Sequence, residues 1–182
     1  MLLIFIGYIF IRFHININTF DLLPDFLGFI LIYMGLGQLE DRAPSFAQAR
    51  PWALGLAVVS FVLLFPLALP VAVYSIISLL TNLANVYLLY LICIGVQELE
   101  QCTGQALGSD KMLTTWKVFA VCSVAAAVAS LFLAEALLVP IMLLTLVSLV
   151  ASIVMLVYLY RCHKALQQIT DAPTDETAPW NE

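Results

Sequence analysis

Apolar runs and short polar breaks alternate along the chain. Six apolar segments stand out: Met1 to about Phe13, Leu22 to Leu39, Trp52 to Leu69, Val71 to Val96, Leu113 to Val139, and Ile141 to Arg161. A helix needs roughly 20 apolar residues to cross a hydrocarbon core of about 30 Å. The pattern therefore predicts an all-α protein, a polytopic membrane bundle of six transmembrane helices paired as three hairpins. The first segment is short for this task, because its thirteen residues reach only about 20 Å as a helix. It must run on through His14 and Asn16, thin the bilayer locally, or stop short of the far side. A cleaved signal peptide fits poorly, since no basic stretch precedes the run and no small-x-small cleavage site follows it.

Composition agrees with the pattern. Of 182 residues 63% are hydrophobic, and the mean hydropathy is +1.04, against about 45–50% apolar residues in soluble domains. Residues 1–166 form the expected six-helix domain. Residues 167–182, "QQITDAPTDETAPWNE" from Gln167, lack periodicity and carry four acids without a Lys or Arg, so this acidic tail is expected to be disordered and cytoplasmic. It is an untethered terminus or a contact peptide through Trp180.

With only 10% of residues charged, the position of each charge says more than the net charge of −5. Arg42, Arg50, Lys111, Lys117, Arg161 and Lys164 fall on one side of the predicted threading and Arg12 alone on the other. The cation-rich side is then cytoplasmic, which puts both termini inside and the protein in a bacterial cytoplasmic membrane. Trp52 and Trp116 begin segments three and five at the same inner interface. Cys93, Cys102 and Cys162 gather there too, with Cys122 close by, and are expected as reduced thiols. No C-x2-C spacing is present, so no metal site is predicted. The scattered cations form no basic stripe, which excludes nucleic acid as a partner.

Each even-numbered segment has a proline at or near its start, Pro24, Pro70 and Pro140, where the missing N–H costs nothing. Segments three to six repeat further at an offset of 70 residues, pairing Ser75 with Thr145, Ser78 with Ser148, Asn82 with Ser152, and Tyr90 with Tyr160. "GLGQLE" (35–40) echoes "GVQELE" (95–100). Duplicated hairpins and low complexity both account for such matches.

Two polar groupings are candidate sites. Ser75, Ser78, Asn82 and Asn85 form one stripe of the fourth helix, matched on the sixth by Thr145, Ser148 and Ser152. The stripes either hydrogen-bond helix to helix or line a pocket between helices four and six for a small solute. The second grouping is the stretch "HININTFDLLPDFLGF" (14–29). Asp21 is placed to cap the second helix, and Asp25 sits in its first turn, where exposed N–H groups favour negative charge. Arg12 is too costly to face lipid and is expected to pair with Asp21 or Asp25. This outer cluster of Arg12, His14, Asp21 and Asp25 closes a tight outer turn or forms a small binding site. Ser123 with Ala127, Ala126 with Ser130, and Ala53 with Ala57 beside Gly55 are small-residue packing faces. Glu135 near the headgroups is expected to be solvated or paired.

The segment "DLLPDFLGFILIYMGL" (21–36), followed by "SFAQARPWA" (45–53), resembles a group of small integral membrane proteins of Firmicutes, clostridia especially. That resemblance covers the first 60 residues or so and implies no activity. Size and helix count also look like the substrate-binding subunits of energy-coupling-factor vitamin transporters, whose alanine-rich docking motif lies in the first helix, whereas here small residues mark segments three and five. No H-E-x-x-H or G-x-S-x-G is present, and Glu98 and Glu100 at a helix end read as solvated acids. The chain is therefore expected to be non-catalytic and cofactor-free. It is read as acting through partner contacts or regulation, with small-solute binding or transport as the alternative. Its expected partners are the lipid bilayer, a membrane-protein subunit and, under the alternative, a small-molecule ligand.

Overall fold

A computed structural model describes residues 1–12, 16–17, 20–21, 25–65, 70–104, 106–130 and 138–171, with the backbone alone at 16–17, 20–21, 71–72 and 169–171. The order of elements is α1 (Leu2–Arg12), β1 (Asn16–Ile17), β2 (Phe20–Asp21), α2 (Asp25–Gly37), α3 (Pro44–Leu63), α4 (Val71–Thr103), α5 (Ser109–Ala129) and α6 (Leu138–Asp171). The two short strands pair antiparallel, with Asn16 opposite Asp21 and Ile17 opposite Phe20. Apart from this ladder the described architecture is helical. His14, Pro24, Glu135 and residues 172–182 lie outside the described residues, as do the side chains of Asn16 and Asp21.

Four of the helices, α3 to α6, are long and apolar enough to cross a membrane. The first two are apolar but shorter, about 17 and 20 Å at 1.5 Å per residue. Six helices thus occupy the six apolar segments, with different bounds. The second helix fills only part of Leu22–Leu39, and the third begins at Pro44, eight residues before Trp52, because "SFAQAR" is helical. Pro44 sits in the first turn of α3, where a missing N–H is harmless. Pro51 lies inside that helix and removes one backbone bond, to the carbonyl four residues earlier. The last helix continues to Asp171, so residues 167–171, expected in the tail, belong to α6.

Local signals explain the helix ends at the α4–α5 connection. Gly104 adopts φ 66°, and its N–H donates to the Glu100 carbonyl at 2.9 Å, a left-handed cap that stops α4. Glu98 and Glu100 are not idle surface acids. The Glu98 carboxylate accepts from the Ser45 N–H at 3.0 Å and its hydroxyl at 2.7 Å, capping α3 from a neighbouring helix. Glu100 accepts from the Ser109 N–H at 2.9 Å and caps α5. Carboxylates at these N-termini satisfy orphan donors and meet the positive end of the helix dipole. Arg50 donates through Nη1 to both oxygens of Glu40 at 2.9 and 2.8 Å, and its guanidinium lies 4.6 Å from the Tyr33 ring centroid.

Each helix packs on the next in chain order, and α6 meets α1 to close the ring. The first two come together antiparallel through glycine. A Cβ added at Gly28 would stand 2.7 Å from the Gly7 carbonyl oxygen, and one at Gly35 would stand 2.7 Å from the Ile4 side chain. Gly95 likewise makes room for the Phe46 ring.

The dry core lies toward one end of the bundle. In α4 the buried positions run from Val86 to Leu99, in α6 from Ser148 to Leu166, and in α3 none follows Ala57. With them lie Ile4, Tyr8, Ile32, Leu36, Phe46, Met112 and Cys162. Among the described helices α1 and α2 are the short ones, at 11 and 13 residues. Around the outside, large apolar side chains such as Val121 (69% exposed) and Met142 (71%) stand free. So extensive an apolar exterior suits lipid and not water. Aromatic residues contact one another along the helices: Trp52 meets Tyr87 at 5.0 Å, Tyr90 meets Trp116 at 4.9 Å, and Trp116 Nε1 donates to the Val86 carbonyl at 2.9 Å. Fold and surface together define an integral membrane protein of helical class.

Candidate functional site

Where the core ends, two adjoining cavities of about 460 and 500 Å³ open inside the bundle. They share Arg12, Tyr74, Ser78 and Asn82. The first is completed by Ser75 and Leu79 of α4, Ser123, Ala126 and Ala127 of α5 with Ser130 capping its end, and Thr145 and Ser148 of α6. The second adds Asp25 and Phe29 of α2, Ser60, Leu63 and Leu64 at the end of α3, and Thr81 and Asn85 of α4. Four helices thus contribute polar groups to the first cavity, in a region where apolar lining would be the cheaper choice.

Ser75, Ser78 and Asn82 of the α4 stripe line the first cavity, and the hydrogen bond of Asn82 runs to α5. Asn82 Nδ2 donates to Ser123 Oγ at 3.2 Å, and the Ser123 hydroxyl lies 3.2 Å from Asn82 Oδ1, so the amide is tied to α5. Two hydroxyls of α6 turn back on their own helix. Thr145 donates to the Ile141 carbonyl at 2.8 Å and Ser152 to the Ser148 carbonyl at 2.8 Å. Ser152 is buried, below the cavity, and does not line it. Asn85 belongs to the second cavity only.

Two members of the outer cluster border the same cavities as the stripe. Arg12, the last residue of α1, and Asp25, the first of α2, both line the second cavity, and Arg12 reaches the first as well. The pairing expected for Arg12 involves Asp21 or Asp25; the Asp21 carboxylate and His14 lie outside the described side chains. What holds the guanidinium among the described residues is aromatic. Its central carbon lies 4.4 Å from the Phe119 ring centroid and 5.6 Å from that of Tyr8, and Nε donates to the Tyr8 hydroxyl at 3.4 Å. A cation over two rings is stabilised by their quadrupoles, the more so where water is sparse. Nη2 is buried and makes no hydrogen bond to the described residues.

Sequence reading passes over three contributors. Ser123 and Ser130 look like packing residues, yet with Ala126 and Ala127 they follow i, i+3, i+4, i+7 spacing, which puts all four on one helix face. That spacing was the available signal. Phe119, the ring beneath Arg12, carries no mark that separates it from any core phenylalanine.

Beside this site a third space of about 510 Å³ lies between α3 and α4, lined by apolar side chains such as Trp52, Leu56, Val59, Ile77 and Leu80. The four cysteines are free thiols, with Cys93 and Cys162 buried and Cys102 exposed. Among the described residues no group of three or more His, Cys, Asp or Glu is placed to hold a metal ion. The chain matches no family model, no curated protein and no solved structure.

Proposed function

We propose that this membrane protein binds a small polar solute in the cavity bounded by α1, α4, α5 and α6, as a non-catalytic binding or transport component. The observation that carries this reading is the convergence of Arg12, Ser78, Asn82, Ser123 and Thr145 on one space of about 460 Å³. Small-molecule sites typically enclose about 300–1,000 Å³ with a few converging polar groups. Hydrogen bonding between helices explains the Asn82–Ser123 contact but does not call for an open space beside it.

In this reading the six segments thread the membrane as three hairpins with both termini in the cytoplasm. Support comes from the cations of the α2–α3 and α4–α5 connections and the end of α6, and from Trp52 and Trp116 near the same end. The cavity then opens in the outer half of the bilayer. Action through a partner subunit draws support from the apolar space between α3 and α4, where Gly55 has nothing within 4 Å of a built Cβ. Small residues exposed in this way let a neighbouring helix approach closely.

Native mass spectrometry of the gently extracted full chain tests the solute reading. A small-molecule adduct is expected on the wild type and not on Ser123→Leu or Ala126→Leu, whose side chains would fill the cavity. An adduct that persists unchanged in both variants would refute it.

A further inference from the structure

The first cavity has one charged lining residue among those described, and it is a cation. Asp25 borders the second cavity but not the first. Of the guanidinium's binding capacity, the flat face is taken by Phe119 and Tyr8 and Nε by the Tyr8 hydroxyl. Among the described residues the buried Nη2 has no acceptor. Aromatic rings offset charge but accept hydrogen bonds poorly, so a buried guanidinium N–H retains most of its demand for an oxygen. In a low-dielectric space that demand is met best by an oxyanion, whose planar or tetrahedral oxygens suit the fork of an arginine. The amide of Asn82 and the hydroxyls of Ser78 and Ser123 supply further polar contacts within the same lining.

We propose that the first cavity receives the head of an oxyanion, a carboxylate or phosphate, which lies against Arg12. The inference rests on the reading of this cavity as a binding site and adds the charge class of what enters. Arg12 is then the specificity determinant, held for that role by Phe119. The oxyanion arrives either as a free solute or as the headgroup of an anionic lipid.

The full chain in phosphatidylcholine nanodiscs, at constant ionic strength set with chloride, is titrated with acetate, inorganic phosphate and acetamide while thermal stability is recorded. Acetate and acetamide share a shape and differ in charge. Acetate and phosphate are expected to raise the unfolding midpoint saturably, acetamide to do so at least about tenfold more weakly, in keeping with the greater strength of charge-assisted bonds. Arg12→Gln is expected to remove the difference between the two probes, and Arg12→Lys to restore part of it. Exchanging part of the lipid for phosphatidylglycerol separates the sources. If it reproduces the stabilisation and blocks that by acetate, the headgroup is the oxyanion; if acetate still acts, a free solute is.

Equal stabilisation by acetate and acetamide would overturn the anion assignment while leaving a binding cavity in place. So would unchanged acetate binding in Arg12→Gln. If no probe acts and Ser123→Leu changes nothing, the binding reading itself fails. Should Arg12→Gln not fold, the acetate–acetamide comparison on the wild type still decides the charge question.

Discussion

Replacing Gly28 with alanine adds one methyl group where the first two helices touch backbone to backbone. The new Cβ would stand 2.7 Å from the Gly7 carbonyl oxygen, 2.7 Å from Ile11 Cγ1 and 3.1 Å from Phe10 Cβ. Ordinary contact begins at 3.4 Å, so α1 must retreat by about 0.7 Å (3.4 less 2.7) to admit it. Overpacking of this kind typically costs about 1–3 kcal/mol. Alanine recovers about 1 kcal/mol of helix propensity over glycine, which leaves a net loss of up to about 2 kcal/mol. Gly55→Ala is the matched control, because nothing lies within 4 Å of its built Cβ. There only the propensity gain operates, so that variant should be neutral to about 1 kcal/mol more stable. Reversible unfolding in mixed dodecylmaltoside–dodecyl sulfate micelles, followed by circular dichroism, measures both. The propensity gain is common to both alanines, so Gly28→Ala should be the less stable by the overpacking cost, about 2 kcal/mol. If Gly28→Ala is as stable as Gly55→Ala, the close α1–α2 contact is wrong, and with it the position of Arg12 at the helix tip.

Other consequences are open to direct measurement. Glu98→Ala should destabilise the bundle by about 1 kcal/mol, the usual worth of an N-terminal cap, and Ser45→Ala in that background should add little; full additivity in the double-mutant cycle would deny the contact. Trp116→Phe loses the bond to the Val86 carbonyl and should cost about 0.5–1.5 kcal/mol of unfolding free energy; an unchanged midpoint would argue against that bond. Maleimide labelling of the folded protein should modify exposed Cys102 quickly and leave buried Cys93 and Cys162 unmodified until denaturant is added, a pattern that equal rates at all three would contradict.

Much of the architecture was legible from residue order. Apolar runs report helices because a backbone surrounded by lipid must satisfy its own hydrogen bonds, and the spacing of Ser75, Ser78 and Asn82 reports a shared face because helix periodicity is fixed. The shortness of the first segment was visible too, although its result was not: the short α1 ends at Arg12, beside the two cavities. Helix ends were less legible, since "SFAQAR" is polar enough to read as a loop and its helix is secured by Glu98 from a distant position in the chain.

What the sequence determined alone is the helical membrane class and the faces on which polar groups lie, because both follow from local periodicity and transfer energy. Tertiary structure decided which faces meet. It tied Asn82 to Ser123 and not to α6, buried Ser152 out of reach, and brought Arg12 from the opening stretch onto Phe119 beside the α4 stripe. Those pairings depend on how glycine lets α1 and α2 approach and on how far their short helices reach, and neither quantity is carried by any single segment of the chain.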